Sequence, residues 1–262
     1  MPSEKPSVPR ATPLHPEVRG LIIGASSGIG AALARRLIAA GYTLALVSQR
    51  EEELRALCSE INSAAGKTAA VPYVHDVTQY EEAPGLLRQI VSDLGGLDFA
   101  AYVAGVNYPP GLDQYNFEND RKMIDVNVTG AIAWLNPIAE MFQSAGRGQI
   151  VGISSVAGDR GRIGNPGYNA SKAALSTYLE ALRNRLTRRG VNVLTIKPGF
   201  VKTQMLAAAQ KPMFPITPEK AAEDIHRAMR ARKQQIYTPW FWTWIMLVVR
   251  NIPSVLFRRM SF

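Results

Sequence analysis

The sequence has few of the residues that staple, chelate or span. Cys58 is the one cysteine among 262 residues, so an intramolecular disulfide is excluded and a reducing compartment fits. Its expected role is that of a small side chain on a helix. The three histidines, His15, His75 and His226, are far apart and lack metal-ligand spacing, so no metal site is expected. The apolar run that follows Pro239 lasts about a dozen residues before Arg250, short of the roughly 20 that a membrane-spanning helix needs. Acidic residues are also scarce: 21 Asp and Glu stand against 30 Lys and Arg, a net charge of +9. That balance favours phosphates, acidic substrates or anionic membrane surfaces as partners. No helix-turn-helix, zinc or aromatic RNA-binding motif accompanies the charge, so nucleic acid is not an expected partner. Much of the charge lies in Arg183 to Arg189 and Arg227 to Lys233, read as solvated helix faces.

What is present is ample material for a core. Hydrophobic residues make up 47% of the chain, which excludes a disordered protein and suits one large domain. Residues 1–17 hold five prolines and no apolar core segment, so they are expected to form a disordered tail, neither secretion signal nor membrane span. From Arg19 onward, strand and helix patterns alternate. Strands are predicted at Arg19 to Ile23, Thr43 to Ser48, Ala69 to His75 (irregular at Pro72), Leu97 to Val103, Gln149 to Ser154, Val191 to Ile196 and Gln235 to Thr238. Helices are predicted from Ile29 through Leu37, then at Glu51 to Ala65, Tyr80 to Leu94, Glu118 to Phe142 (one long helix), Gly167 to Arg189 and Pro218 to Arg232. This alternation predicts an α/β fold: a Rossmann-type doubly wound parallel sheet in a three-layer α/β/α sandwich, with ligands at the carboxyl ends of the strands. The expected layout is one domain over 18–238 and an amphipathic extension over 239–262.

Gly24-x-x-x-Gly28-x-Gly30 falls between the first strand and the first helix. Glycine there permits a tight turn and lets backbone N–H groups approach a pyrophosphate at a helix N-terminus. At the end of the second strand an acidic residue would hold the ribose 2′-hydroxyl of NAD; this chain has Ser48-Gln49-Arg50. The forked guanidinium of Arg50 suits a 2′-phosphate, so NADP(H) is expected over NAD(H). Asp76, ending the third strand, is a candidate for the adenine, or for an N-cap of the segment that follows.

Tyr168-Asn169-Ala170-Ser171-Lys172, preceded by Ser154-Ser155, carries the chemistry. Tyr168 and Lys172, at i and i+4, share a helix face. The lysine charge is expected to lower the phenol's pKa and make it a usable general acid.

Together these residues resemble the short-chain dehydrogenase/reductase superfamily, over roughly Arg19 to Thr238. The glycine loop matches, as do Asn127-Val128-x-Gly130, the serine-to-tyrosine separation and Pro198-Gly199 followed by Thr203. Two positions depart from the usual pattern: Ile23 where threonine is common, and Tyr102-Val103-Ala104-Gly105 where Asn-Asn-Ala-Gly is common. The resemblance implies a catalytic tetrad of Asn127, Ser155, Tyr168 and Lys172. Tyr168 would donate a proton to a carbonyl oxygen, and Ser155 would hydrogen-bond that oxygen. Lys172 would hold the nicotinamide ribose and bias Tyr168, and Asn127 would help carry the replacement proton. The cofactor set it implies comprises Gly24, Ser26, Ser27, Gly28, Ile29, Gly30, Arg50, Asp76, Val77, Ala104, Gly105, Tyr168, Lys172, Pro198, Gly199, Val201 and Thr203. It further implies a homodimer or homotetramer.

Three of the four tryptophans fall in Pro239 to Phe262. On a helix, Phe241, Ile245, Val248, Ile252 and Val255 share one face and Arg250, Ser254 and Arg258 another, with a break at Pro253. That pattern suits an interfacial helix on an anionic membrane, or packing on the body or on another subunit. Gly148 to Val151, Ser155 to Arg160 and the ending Ile252-Pro253 with Phe257-Arg258-Arg259 are similar to reductases of polyprenyl-phosphate-linked 2-keto pentoses, of the decaprenylphosphoryl arabinose pathway. The loop from Phe200 to Thr217, apolar at Met205, Leu206, Met213 and Phe214, is expected to close over substrate. The functional expectation is an NADP(H)-dependent reductase of a lipid-linked or amphiphilic ketone, cytoplasmic and peripheral at the inner face of the membrane. Reduction of a soluble 3-ketoacyl, steroid-like or sugar ketone, and a non-catalytic dinucleotide-binding regulator, are the alternatives.

Overall fold

The structure is a computed structural model that describes residues 18–208 and 212–260; the expected tail at 1–17 lies outside them. Seven parallel strands form one sheet in the order β3-β2-β1-β4-β5-β6-β7. They are β1 (Arg19–Ile23), β2 (Thr43–Ser48), β3 (Ala70–Val74), β4 (Phe99–Tyr102), β5 (Gly148–Ile153), β6 (Val191–Pro198) and β7 (Gln235–Thr238). Side chains alternate across the pleat, so Ile22 packs with one helical layer while Leu21 and Ile23 pack with the other. The first layer is α1 (Gly28–Ile38), α2 (Glu51–Ala65) and α7 (Pro218–Arg230), docked through Leu33, Leu54 and Ile225. The second is α3 (Ala83–Leu94), α5 (Gly130–Ala145) and α6 (Pro166–Leu186), docked through Leu87, Trp134 and Leu179. The expected three-layer, single-domain α/β/α architecture is therefore present.

The strand order reverses between β1 and β4, which opens a crevice beyond their carboxyl ends. Register places Ile23 beside Val47 and Tyr102, so the loops after β1, β2 and β4 leave the sheet at one level. Three local features differ from the sequence reading. Pro72 sits in a regular strand, because β3 is the sheet edge and needs no hydrogen bond on its outer side. The helix expected over Glu118 to Phe142 is α4 (Phe117–Ile124) and α5 joined by a wide π turn at Asp125–Thr129. The C-terminal extension is α8 (Trp242–Asn251), broken at Ile252-Pro253 and followed by the short α9 (Ser254–Phe257).

The face that α8 buries is the expected one only in part: Phe241 and Ile245 pack on the body. Trp242 and Met246 are buried and pack with Val156, Phe200, Ile245 and Val249. Val248 and Val255, expected with Ile245, are exposed instead. The spacing 242, 245, 246 and 249 gives a one-sided stripe, and the break at Pro253 ends it before Val255 joins. Among the described residues no helix is long and apolar enough to cross a membrane.

Candidate active site

Beyond the carboxyl ends of the strands lies a cleft of about 1270 Å³. It exceeds the roughly 300–1,000 Å³ usual for a single drug-sized ligand, as a dinucleotide with a second ligand requires. One wall is the turn between β1 and α1. Gly24 and Ala25 both donate to the Val47 carbonyl, at 2.8 and 3.1 Å, which pins the turn to β2. Gly24 has φ of +92°, and a Cβ there would lie 2.4 Å from the Ala104 nitrogen. A Cβ on Gly30 would lie 2.1 Å from the Gly24 carbonyl oxygen. Only glycine therefore fits this cradle, a tight turn that delivers the chain to the start of α1 beside the cleft, where a dinucleotide pyrophosphate fits the residues present.

Arg50, at the end of β2, folds back over the cradle. Its Nε donates to Ser26 Oγ at 3.1 Å and its Nη2 donates to Ser27 Oγ. Ser26 in turn shares a 2.7 Å hydroxyl contact with Ser48. A fork and two hydroxyls thus converge where the second strand ends. Asp76 lines the cleft, and its Oδ1 accepts from the Thr78 N–H and hydroxyl at 2.9 and 2.8 Å; this is a local Asx turn, and the helical turn that follows has its N-cap at Gln79, not at Asp76 as weighed from the sequence. Val77, Ala104, Gly105, Pro198, Gly199, Val201 and Thr203 line the same cleft, along with Ser26, Ser27, Gly28 and Ile29.

Ser155, Tyr168 and Lys172, the residues expected to carry the chemistry, line the same cleft. Ser155 ends the segment after β5, and its Oγ accepts from the Ala157 N–H at 3.1 Å. Asn165 caps α6 by accepting from the Tyr168 N–H at 3.2 Å, with Pro166 opening the helix. That cap fixes Tyr168 in the first turn and Lys172 one turn on. The Lys172 Nζ is buried and donates to the Ile153 carbonyl at 3.0 Å; it lies 5.8 Å from the centroid of the Tyr168 ring. Burial holds its pKa down at about 8.

The expectation that Lys172 lowers the Tyr168 pKa is not met. Burial dominates and raises the phenol above its ordinary value, against the Ser155 hydroxyl and the Arg162 cation, which both lower it. The result still suits a proton donor, because a raised pKa keeps the phenol protonated at neutral pH. Asn127 lies in the π turn and is fully buried. Its Oδ1 accepts from the Val106 N–H at 2.8 Å, and its Nδ2 donates to the Val106 carbonyl and Ser171 Oγ, each at 3.0 Å. The amide therefore pins the segment after β4 against α6; these are the bonds of a positioning residue.

The far wall is apolar; the sequence reading anticipated its lid-loop part and missed the part that α8 supplies. Ile245, Met246 and Val249 of α8 line the cleft, with Phe200, Met205, Leu206 and Met213 from the expected lid loop, of which 209–211 lie outside the described residues. Met205 Sδ lies 4.0 Å from the Tyr168 hydroxyl. Trp242 lies so close to Gly199 that a Cβ there would meet the indole nitrogen at 2.1 Å, which ties the Pro198-Gly199 element to the C-terminal helix. Arg160 donates to the carbonyls of Val249 and Ile252 at 2.7 and 2.5 Å and stacks on Phe257, 4.0 Å above its ring. It thereby satisfies carbonyls at the end of α8.

Comparison with known proteins agrees with this geometry. A family described as short chain dehydrogenase matches residues 20–213. An uncharacterized oxidoreductase of Myxococcus xanthus is 36% identical over 238 residues, covering 90% of this chain and 93% of the relative. The ketoacyl reductase HetN of Nostoc sp. is 27% identical over 82% of this chain and 76% of its own. Among solved structures, an actinorhodin polyketide ketoreductase with NADPH superposes with a TM-score of 0.76 at 24% identity, covering 86% of this chain and 96% of that one. The chain belongs to the short-chain dehydrogenase family. It is an oxidoreductase of that family, with the Rossmann-type fold its sequence implied.

Proposed function

We propose that the protein reduces the ketone of an amphiphilic substrate with NADPH at the surface of an anionic membrane. The convergence of Ser155, Tyr168 and Lys172 between a dinucleotide cradle and an apolar wall carries the reading. When bound, the nicotinamide supplies the hydride. Tyr168 donates its phenolic proton to the substrate oxygen. Ser155 hydrogen-bonds the same oxygen as negative charge develops. Lys172 holds the nicotinamide ribose hydroxyls and returns a proton toward Tyr168, while Asn127 keeps the segment after β4 in place for that relay.

NADP(H) is preferred over NAD(H) because Arg50, Ser26 and Ser27 offer a 2′-phosphate a guanidinium and two hydroxyls, with no carboxylate at the end of β2 to hold a free 2′-hydroxyl. The actinorhodin polyketide ketoreductase was solved with NADPH, in keeping with this choice. The amphiphilic substrate rests on α8. Its inner face lines the cleft, while Trp244, Leu247 and Val248 point outward, with Trp240 just before it and Val255 and Leu256 beyond it. Arg250, Arg258 and Arg259 flank those exposed apolar groups. Exposed aromatics edged by cations suit an anionic bilayer surface at the cytoplasmic face. A polyprenyl-phosphate keto sugar is one substrate of this kind. Assembly as a homodimer or homotetramer, implied by the family resemblance, belongs to the same reading.

The test is cofactor consumption by the full chain with NADPH and with NADH, across a lipid-linked keto sugar, a 3-ketoacyl thioester and a steroid ketone. Higher efficiency with NADPH on the lipid-linked ketone is expected. Tyr168→Phe should lower turnover by about 10² to 10⁴-fold with NADPH affinity retained. Turnover that survives this substitution would overturn the mechanism.

A further inference from the structure

The loop between Ser155 and α6 carries a cation to which the proposed mechanism gives no task. Arg162 lines the cleft, and its charge acts on the Tyr168 phenol. Among the described residues, Tyr168 is the sole ionisable group that acts on the guanidinium in return, and no carboxylate pairs with it. The other charged groups of the cleft are already engaged. Lys172 donates to Ile153, Arg50 donates to Ser26, and Asp76 accepts from Thr78. The surroundings on the substrate side are apolar: Ile163, Met205, Met213, Ile245, Met246 and Val249 line the same cleft.

A guanidinium drawn partly out of water with no counter-charge is costly to keep. Burial correspondingly holds its pKa below the ordinary value. The same group presents a planar fork matched to the oxygens of a phosphate or a carboxylate. A substrate anion would supply the missing partner at the moment of binding.

We infer that Arg162 binds an anionic group of the substrate, a phosphate or a carboxylate carried close to the carbonyl that Tyr168 protonates. The inference rests on the ketoreductase reading and narrows its substrate to an anionic amphiphile, with the apolar portion lying along α8. Arg162 is then a specificity residue; a neutral steroid-like ketone has nothing to offer it.

The test uses the full chain saturated with NADP, so that the cradle and Arg50 are occupied. Dodecyl phosphate, dodecanoate and dodecanol are the probes, and binding is measured by equilibrium dialysis. The wild-type chain should hold one or both anions about ten- to a hundredfold more tightly than the alcohol. Phosphate ahead of carboxylate identifies a phosphoryl substrate, and the reverse order a keto acid. Arg162→Gln should bring the three probes together while NADP affinity and Tm stay unchanged. Arg162→Lys, which keeps the charge and loses the fork, should fall between, and it decides the matter if the Gln variant is unstable. Equal binding of all three probes by the wild-type chain, or an anion preference that survives both substitutions, overturns the inference. Failure of the wild-type chain to bind NADP would instead remove the ketoreductase reading, and this inference with it.

Discussion

The glycine turn between β1 and α1 and the helix α8 line the same cleft, but they are held in place by different means. The turn is fixed by backbone: hydrogen bonds from Gly24 and Ala25 to Val47, and room that vanishes if either Gly24 or Gly30 gains a Cβ. The helix is fixed by side chains: Trp242 and Met246 sunk into a small satellite core, and Arg160 satisfying its last carbonyls. A backbone-fixed wall serves a ligand whose shape never changes, such as a dinucleotide. A side-chain wall serves one whose shape differs between relatives. On the proposed reading, the cradle serves cofactor binding and α8 serves substrate choice.

The largest effect that would break this contrast is expected on the helix side. Trp242→Ala removes the anchor of the satellite core, and truncation of a buried Trp costs about 3–5 kcal/mol. Amide hydrogen exchange should show α8 losing protection while the sheet keeps its own; equal loss throughout would mean that α8 is not a separate wall. On the cradle side, Gly30→Ala forces a methyl against the Gly24 carbonyl. Such overpacking costs about 1–3 kcal/mol, so NADPH should bind about ten- to a hundredfold more weakly in a titration, with α8 protection unchanged.

Acid should sharpen the contrast further. His226, on α7 behind the cradle, is buried against Tyr42 in an edge-on ring contact. Burial, with Arg36 and Arg230 nearby, lowers its pKa from 6.5 to about 4. The unfolded chain therefore binds more protons between those values, and stability is lost as pH falls through that window. Denaturant unfolding at pH 5 should give about 2 kcal/mol less stability from this group than at pH 7. His226→Gln should flatten the dependence, whatever it does to stability at pH 7. The smallest effect is on the outer face of α8. Trp244→Ser with Val248→Ser should weaken sedimentation with phosphatidylglycerol vesicles about tenfold, leaving NADPH binding intact. Unchanged sedimentation would detach membrane association from this helix.

The backbone-fixed region was the more legible in the sequence. Apolar runs ending in glycine mark the strand ends, and the Gly24 to Gly30 spacing, Arg50 and the Tyr168 to Lys172 pair all fall where the structure brings them into one cleft. Hydrophobic periodicity also marked α8 and rightly set Phe241 beside Ile245, yet it added Val248 and Val255, which stay exposed. A helical projection ranks faces by apolarity, whereas packing selected the stripe that meets Gly199 and Phe200. Periodicity likewise passed over the π turn at Asp125–Thr129, since one extra residue within a wide turn leaves the apolar spacing on either side intact. The direction of the Tyr168 shift was misread because burial, which no motif encodes, outweighs the Ser155 hydroxyl and the Arg162 charge that oppose it. Arg162 had no local signal at all: one arginine in a polar loop looks solvated until the cleft closes around it.

The ten residues of α8 serve two surfaces on one backbone. If the proposed reading holds, drift in substrate choice through Ile245, Met246 and Val249 proceeds a single step away from the outward-facing Trp244, Leu247 and Val248. Substitutions can adjust one surface and spare the other. A one-residue insertion cannot, because it turns every later side chain by about 100° and displaces members of both sets at once. Descendants of this chain are thus expected to vary freely in the composition of this helix and to hold its length constant.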